Sequence, residues 1–174
     1  MWSVREHDLV NYWIFNVKDD ENAQYRRKGK EIYEHRMGDR FWGLHECTEK
    51  GRKTPNVAKL KESDMVLFYL AGNDGHCFLG TSVLASSFRK LQEEEKADKL
   101  HEEWLDWPSG VDLGSYEEWK DPLPIECLRG KIYSVPPNGN YGKYFQGSIK
   151  KTSASDYAII VQEHCRQMDN SAPE

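Results

Sequence analysis

Three times the sequence sets a histidine close to a cysteine: His45-x-Cys47, His76-Cys77 and His164-Cys165. Imidazole and thiolate are both zinc ligands, so each pair is a candidate for metal chemistry. Adjacent residues on a strand point to opposite faces, however, so His76-Cys77 chelates poorly if it lies in one. None of the sets has the ligand spacing of a structural zinc site, and no metal is expected. The four cysteines, Cys47, Cys77, Cys127 and Cys165, stand far apart without a C-x-x-C pair, which predicts reduced thiols. A Gly-rich phosphate loop, a G-x-S-x-G elbow and an H-E-x-x-H helix are all missing from the sequence. The chain therefore reads as non-catalytic and free of a cofactor.

Charge is the second source of chemistry. Arg26, Arg27, Lys28 and Lys30 form one basic run, Lys50, Arg52 and Lys53 a second, and Lys143, Lys150 and Lys151 a weaker third. The net charge is −5, with the acidic excess mostly in residues 93 to 126 and at the C-terminus. Such a chain does not coat nucleic acid indiscriminately, but a modest basic face on an acidic body can hold a few phosphates with salt-sensitive affinity. Aromatic residues are the third source. Of six tryptophans and nine tyrosines, several fall in polar, loop-like stretches where burial in a core is not the obvious explanation.

The elements that would position these groups follow from periodicity and punctuation. Residues 11 to 17 are β-branched and aromatic and predict a strand. A polar segment from Glu21 to Met37 carries Ile32, Tyr33 and Met37 on one helical face, and Gly38-Asp39 turns it into the short segment Phe41 to Leu44. Thr54-Pro55 predicts a short helix through Leu60. The nearly continuous apolar run 65 to 71, the turn Gly72-Asn73-Asp74-Gly75 and the run 77 to 84 form the clearest hairpin, dense enough to be central. Gly80 within its second strand predicts a bulge or a close approach by another backbone or a ligand. Ser87 to Trp104 reads as a charged helix with Phe88, Leu91, Leu100 and Trp104 as its apolar stripe. A strand is expected near Val111 to Trp119, a short helix at Pro124 to Leu128, and a loop at Pro136 to Asn140. Ser153 with Asp156 opens a final helix through about His164.

At 174 residues, 38% hydrophobic and 30% charged, the chain fits one globular domain, here taken as 1–174 with its core at about 11–165. No apolar run approaches the roughly 20 residues that span a bilayer. The opening residues lack a secretory pattern, so a cytoplasmic or nuclear location is expected. The strands and peripheral helices predict an α+β class and a small barrel.

Five stretches, in their order and spacing, resemble the EVE domain family of the PUA-like superfamily. They are the opening strand Tyr12-Trp13-Ile14-Phe15-Asn16-Val17, the Trp42-Gly43 element, the hairpin from Asp64–Tyr69 to Phe78–Val83, Trp119 to Pro124, and Asp156 to Ile160. The resemblance spans roughly residues 11 to 165. It implies a PUA-like mixed β-barrel of about five to six strands with flanking helices, related to the YTH readers of N6-methyladenine. It further implies a non-catalytic domain that captures a modified base, methylated or hydroxymethylated cytosine or methylated adenine, flipped out of DNA or RNA into an aromatic cage. EVE-like domains in prokaryotes often form the recognition part of modification-dependent restriction systems, so a nuclease or NTPase partner domain is expected alongside a monomeric reader.

The resemblance also assigns residues. Trp42 corresponds to the cage tryptophan after the first helix, with Gly43 beside it. Asn16 and Val17 at the end of the opening strand, and Leu70 and Ala71 at the end of the hairpin's first strand, would contact the base. The second cage wall falls among Trp104, Trp107, Tyr116 and Trp119. Phosphates would be held by Arg52 and Lys53, and by Lys143, Gln146, Ser148, Lys150 and Lys151 near the late loop. Asn16-Val17 departs from the lysine-serine pair common in YTH readers, which leaves the base open. The alternative is a general RNA- or small-ligand-binding module of the same fold, indifferent to modification.

Overall fold

The structure, a computed structural model, describes residues 9–20, 27–47, 50–72, 75–98, 108–133, 135, 137–138, 145 and 147–171. Its elements in chain order are β1 (Tyr12–Val17), α1 (Gly29–Asp39), β2 (Phe41–Gly43), β3 (Met65–Leu70), β4 (Cys77–Leu84), β5 (Arg89–Lys90), α2 (Glu93–Asp98), β6 (Ser109–Pro124), β7 (Ile149–Thr152) and α3 (Ala154–Ser171), with 3-10 turns at Val57–Lys59 and Ile125–Leu128. The sheet runs β2-β6-β4-β3-β1-β7, with β5 paired to β6. It curls into a partly closed barrel flanked by helices, the α+β PUA-like architecture. Among the described residues only β1 and β3 pair in parallel, Val17 opposite Leu70; the other pairings are antiparallel.

Strands β1 and β3 are buried on both faces, which explains their near-continuous apolar sequences. Alternation sorts their side chains into two cores. Trp13, Phe15 and Val17 of β1 and Val66, Phe68 and Leu70 of β3 face one core, which α1 closes with Ile32, Tyr33 and Met37. Ile14, Leu67 and Tyr69 face the other, which α3 closes with Tyr157 and Ile160. Asp64 ties the start of β3 to β1: its buried carboxylate accepts hydrogen bonds from the Asn11 and Lys61 N–H groups, the Asn11 side chain and the Trp13 indole. Trp13 is thereby fixed as core. Gly80 is the close approach its position predicts, because an added Cβ would run into the Glu117 carbonyl oxygen across the ladder.

Several expectations need correction. The charged stretch from Ser87 is not one helix: Arg89 and Lys90 pair with β6, and a short α2 follows. Arg89 causes this, donating to Asp112 of β6 at 2.7 Å and to both Glu95 oxygens at 2.7 and 2.8 Å. Strand β6 is far longer than Val111 to Trp119, because it bends to pair with β2 through residues 110–112 and with β4 further on. The expected helix after Thr54-Pro55 is a single 3-10 turn, and the final helix runs on to Ser171. No helix among the described residues is long and apolar enough to cross a membrane.

Candidate functional site

The carboxy-terminal ends of β1 and β3 are where α1 begins. Gly29 makes this approach possible, since a Cβ there would meet Leu70 Cδ1 at 2.8 Å and the Lys18 backbone at 2.9 Å. Its N–H donates to Asp19 at 2.8 Å, and the Lys28 N–H donates to Glu31 at 3.0 Å, which caps the helix start. The helix ends on Arg40 in the left-handed region, φ 50°, and the chain enters β2 directly. Strand β2 pairs Trp42 with Val111 and Gly43 with Gly110. Gly110 lets the strands close, because a Cβ there would strike the Trp42 carbonyl.

This geometry drives the Trp42 indole inward. Val17, Gly43 and Leu70 are buried, and Val17 and Leu70 join Trp42 in the first core, so the structure brings these four predicted site residues to one region. The indole itself is 1% exposed, closed over on all sides. Phe68 stacks on it at 4.9 Å between centroids and 25° between planes, and Phe15 and Tyr33 lie at 5.6 and 6.5 Å. The Arg36 guanidinium carbon sits over the ring, 4.7 Å from its centroid. Tyr33 keeps a buried hydroxyl with no partner among the described residues, and burial raises its pKa, with the nearby Glu118 adding to the shift.

Asn16 lies beside this region in sequence but on the opposite face of the sheet. Its Nδ2 donates to the Phe145 and Gly147 carbonyls, both at 2.7 Å, and its backbone N–H donates to Ser148 O at 2.9 Å. The amide donor is thus committed to holding the late loop. Its Oδ1 is buried without a partner among the described residues. Trp119 also belongs to the second core, where it stacks on His164 at 3.9 Å and 5°; Ala71 packs against the same core. Trp42 and Trp119 are therefore not brought face to face. Tyr116 is partly exposed, with the Arg40 guanidinium 5.5 Å from its ring. Trp104, Trp107, Lys143 and Gln146 lie outside the described residues.

Of the predicted phosphate ligands, Arg52, Lys53, Ser148 and Lys151 are exposed. The Lys53 segment is braced by a bridge to Cys47 and by the Thr54 N–H donating to Glu46 O at 2.8 Å. Lys150 and Lys151 point to opposite faces of β7: the Lys150 Nζ is 5.5 Å from the Phe145 ring and the Lys151 Nζ 5.8 Å from Trp13. Burial depresses the Lys150 pKa, partly opposed by Asp156. Among the described residues no three His, Cys, Asp or Glu side chains converge as metal ligands. His76 is engaged by the Tyr69 hydroxyl at 3.2 Å, and burial raises the Cys77 thiol pKa.

Sequence reasoning missed Arg36. The signal was available: Arg36 is four residues after Ile32 and three after Tyr33, so it shares the helix face whose apolar members point to the core. A charge in that stripe demands an explanation.

No protein-family profile matches the chain, and no curated protein matches it. Solved structures do. The chain is similar to human THYN1, solved in complex with 5-methylcytosine-containing DNA, at a TM-score of 0.53 and 13% identity over 88% of this chain and 97% of that one. It is similar to the N-terminal domain of Staphylothermus marinus McrB at 0.51 and 14% over 88% and 94%. The YTH domain of Zygosaccharomyces rouxii MRB1, solved with N6-methyladenosine RNA, matches at 0.50 and 12% over 94% and 91%. Identities this low speak for the fold alone. What they establish is that this chain has the PUA-like fold that THYN1 and the YTH domain also adopt.

Proposed function

We propose that the protein is a non-catalytic reader of a modified nucleobase, which it takes from a flipped position into the aromatic region around Trp42. The observation that carries the reading is that Val17 and Leu70, at the ends of β1 and β3, share one core with the Trp42 indole, with Gly43 next to it on β2, in a fold shared with proteins solved on methylated DNA and RNA. Extruding a base costs a few kcal/mol, and stacking on one aromatic side chain returns about 1–3 kcal/mol. One indole thus offsets much of the extrusion, and the polar edge of the base must supply the rest. A methyl group adds only about 0.8 kcal/mol, roughly fourfold, whereas a hydroxymethyl group is distinguished through hydrogen bonds.

Polar recognition falls to the Tyr33 hydroxyl, which is buried beside the indole with no partner among the described residues. Arg52 and Lys53 supply phosphate contacts, and a nuclease or NTPase partner would act on what the reader marks.

The test is a binding panel of DNA and RNA strands that differ at one base: 5-methylcytosine, 5-hydroxymethylcytosine, N6-methyladenine and their unmodified counterparts. One modified strand should bind on the order of tenfold or more above its plain twin. Equal affinity for every strand would make the protein a general nucleic-acid module, and no binding at all would point to a small ligand.

A further inference from the structure

We infer that Lys18 and Lys30 form a phosphate-binding collar at the ends of β1 and β3, gripping the nucleic-acid backbone on either side of the nucleotide whose base is taken up. The inference rests on the reading of Trp42 as the base platform and adds to it the path of the strand.

The first basic run of the sequence, Arg26 to Lys30, has its described part at this place. Past β1 the chain turns back on itself, the Asp20 N–H donating to Arg27 O at 2.9 Å. Residue 29 then lands against the ends of both parallel strands, where a Cβ on Gly29 would meet Leu70 Cδ1 at 2.8 Å and the Lys18 carbonyl carbon at 2.9 Å. Lys18 and Lys30 therefore flank the point where Val17 and Leu70 end side by side, and both are exposed. The charge of Lys30 extends over the neighbouring strand. Burial raises the pKa of the Cys77 thiol, opposite Leu70 on β4, and Glu126 adds to the rise, while Lys30 opposes both. Glu126 thus marks the acidic edge of the collar on that side.

The nearby acids are engaged by other groups. Asp19 accepts from the Gly29 N–H at 2.8 Å and from Lys28 Nζ at 3.1 Å, and these bonds hold its carboxyl below the ordinary value. Glu31 accepts from the Lys28 N–H at 3.0 Å. An anion arriving here therefore meets lysine side chains rather than the first N–H groups of α1. Among the described residues neither Lys18 nor Lys30 is ion-paired to a carboxylate. A chain of net charge −5 has carboxylates in excess, yet it leaves two cations unpaired at one entrance. A base that passes Val17 and Leu70 leaves its flanking phosphates outside, because a full charge is costly to desolvate. Ammonium groups on flexible stems suit those phosphates: they position a strand without reading its sequence.

Short single strands of DNA and of RNA, carrying each base of the panel above or an abasic site at the centre, test the collar. The double variant Lys18→Ala, Lys30→Ala should weaken all of them by a common factor. Each lost phosphate contact removes about 0.7 from the slope of log affinity against log salt, so a rise from 50 to 200 mM should cost the wild type about sevenfold more than the variant. Lys18→Arg with Lys30→Arg keeps both charges and should behave as wild type. Neutral methylphosphonate linkages then give the position. Placed on both sides of the central nucleotide they should erase the difference between variant and wild type, whereas the same linkages at the end of the strand should preserve it. An alanine variant with unchanged affinity and salt slope would overturn the collar. So would a difference that survives the flanking methylphosphonates, since the lysines would then hold phosphates elsewhere, and so would failure of every strand to bind. The base reading fails separately: a wild type that held the abasic strand as tightly as every base-bearing twin would sink it and leave the lysine effect in place.

Discussion

Trp42 has a structural role and, on the proposed reading, a binding one, and substitution separates the two. As an interior ring wedged among Phe15, Tyr33, Phe68 and Arg36, it contributes to folding like any large core residue. Trp42→Ala should cost about 3–5 kcal/mol, measured by urea unfolding. Trp42→Phe keeps most of the volume and should leave a folded protein that binds base-bearing strands more weakly than wild type, because a smaller ring offers less stacking surface. If the phenylalanine variant bound them undiminished, the platform would lie elsewhere. Asn16 makes a contrasting case. The family resemblance pointed to it as a base contact, yet the side-chain alternation of β1 sends it away from Trp42, toward the Phe145 and Gly147 carbonyls. That alternation was readable in the strand. What could not be read was which face α1 would cover, because that depends on a packing partner far away in sequence.

At the scale of elements, strands β1, β3 and β4 were legible because their burial writes itself into composition: central strands must be apolar on both faces. Strand β6 was not. Its exposed segment Ser115 to Glu118 and its prolines carry little strand propensity, and backbone pairing with β4 rather than side-chain burial holds it in the sheet. Helical spacing misled at residues 87–104 because a run of charges fits a solvated helix as well as an ion-pair network. Here the network wins, with Arg89 joining β5 and α2 to Asp112 on the strand that positions Trp42. Burial alone would raise the Asp112 pKa, but hydrogen bonds from Arg89 and Ser86 outweigh it and hold the carboxyl below its ordinary value. A carboxylate whose folded pKa is depressed stabilises the native state above its unfolded value, about 3.9, and loses that contribution as pH falls through the folded one. Thermal melts taken downward from pH 5 should therefore lose stability more steeply in wild type than in Asp112→Asn. Parallel acid limbs in the two proteins would remove Asp112 from the account.

For the molecule as a whole, the proposed reading has to explain how an acidic body of net charge −5 would hold a polyanion. The fold answers by distribution. Arg52 and Lys53 stand exposed on the segment between β2 and β3, while β7 sends Lys150 and Lys151 to opposite faces, so those two cannot serve one footprint equally. Lys150, half-buried against Phe145 with a lowered pKa, is the poorer phosphate ligand. On the proposed reading few cations meet the strand, so phosphate contacts would supply a small, uniform part of the affinity while the region around Trp42 would supply discrimination. Changing Arg52 and Lys53 together to alanine should weaken modified, plain and abasic strands alike. It should also flatten the slope of log affinity against log salt by about 1.4–1.8, at roughly 0.7–0.9 per phosphate. Lys150→Ala should move that slope much less. A double variant that lost only the modified strand, with its salt slope intact, would mean that these two residues read the base, and the division of labour between pocket and surface would have to be redrawn.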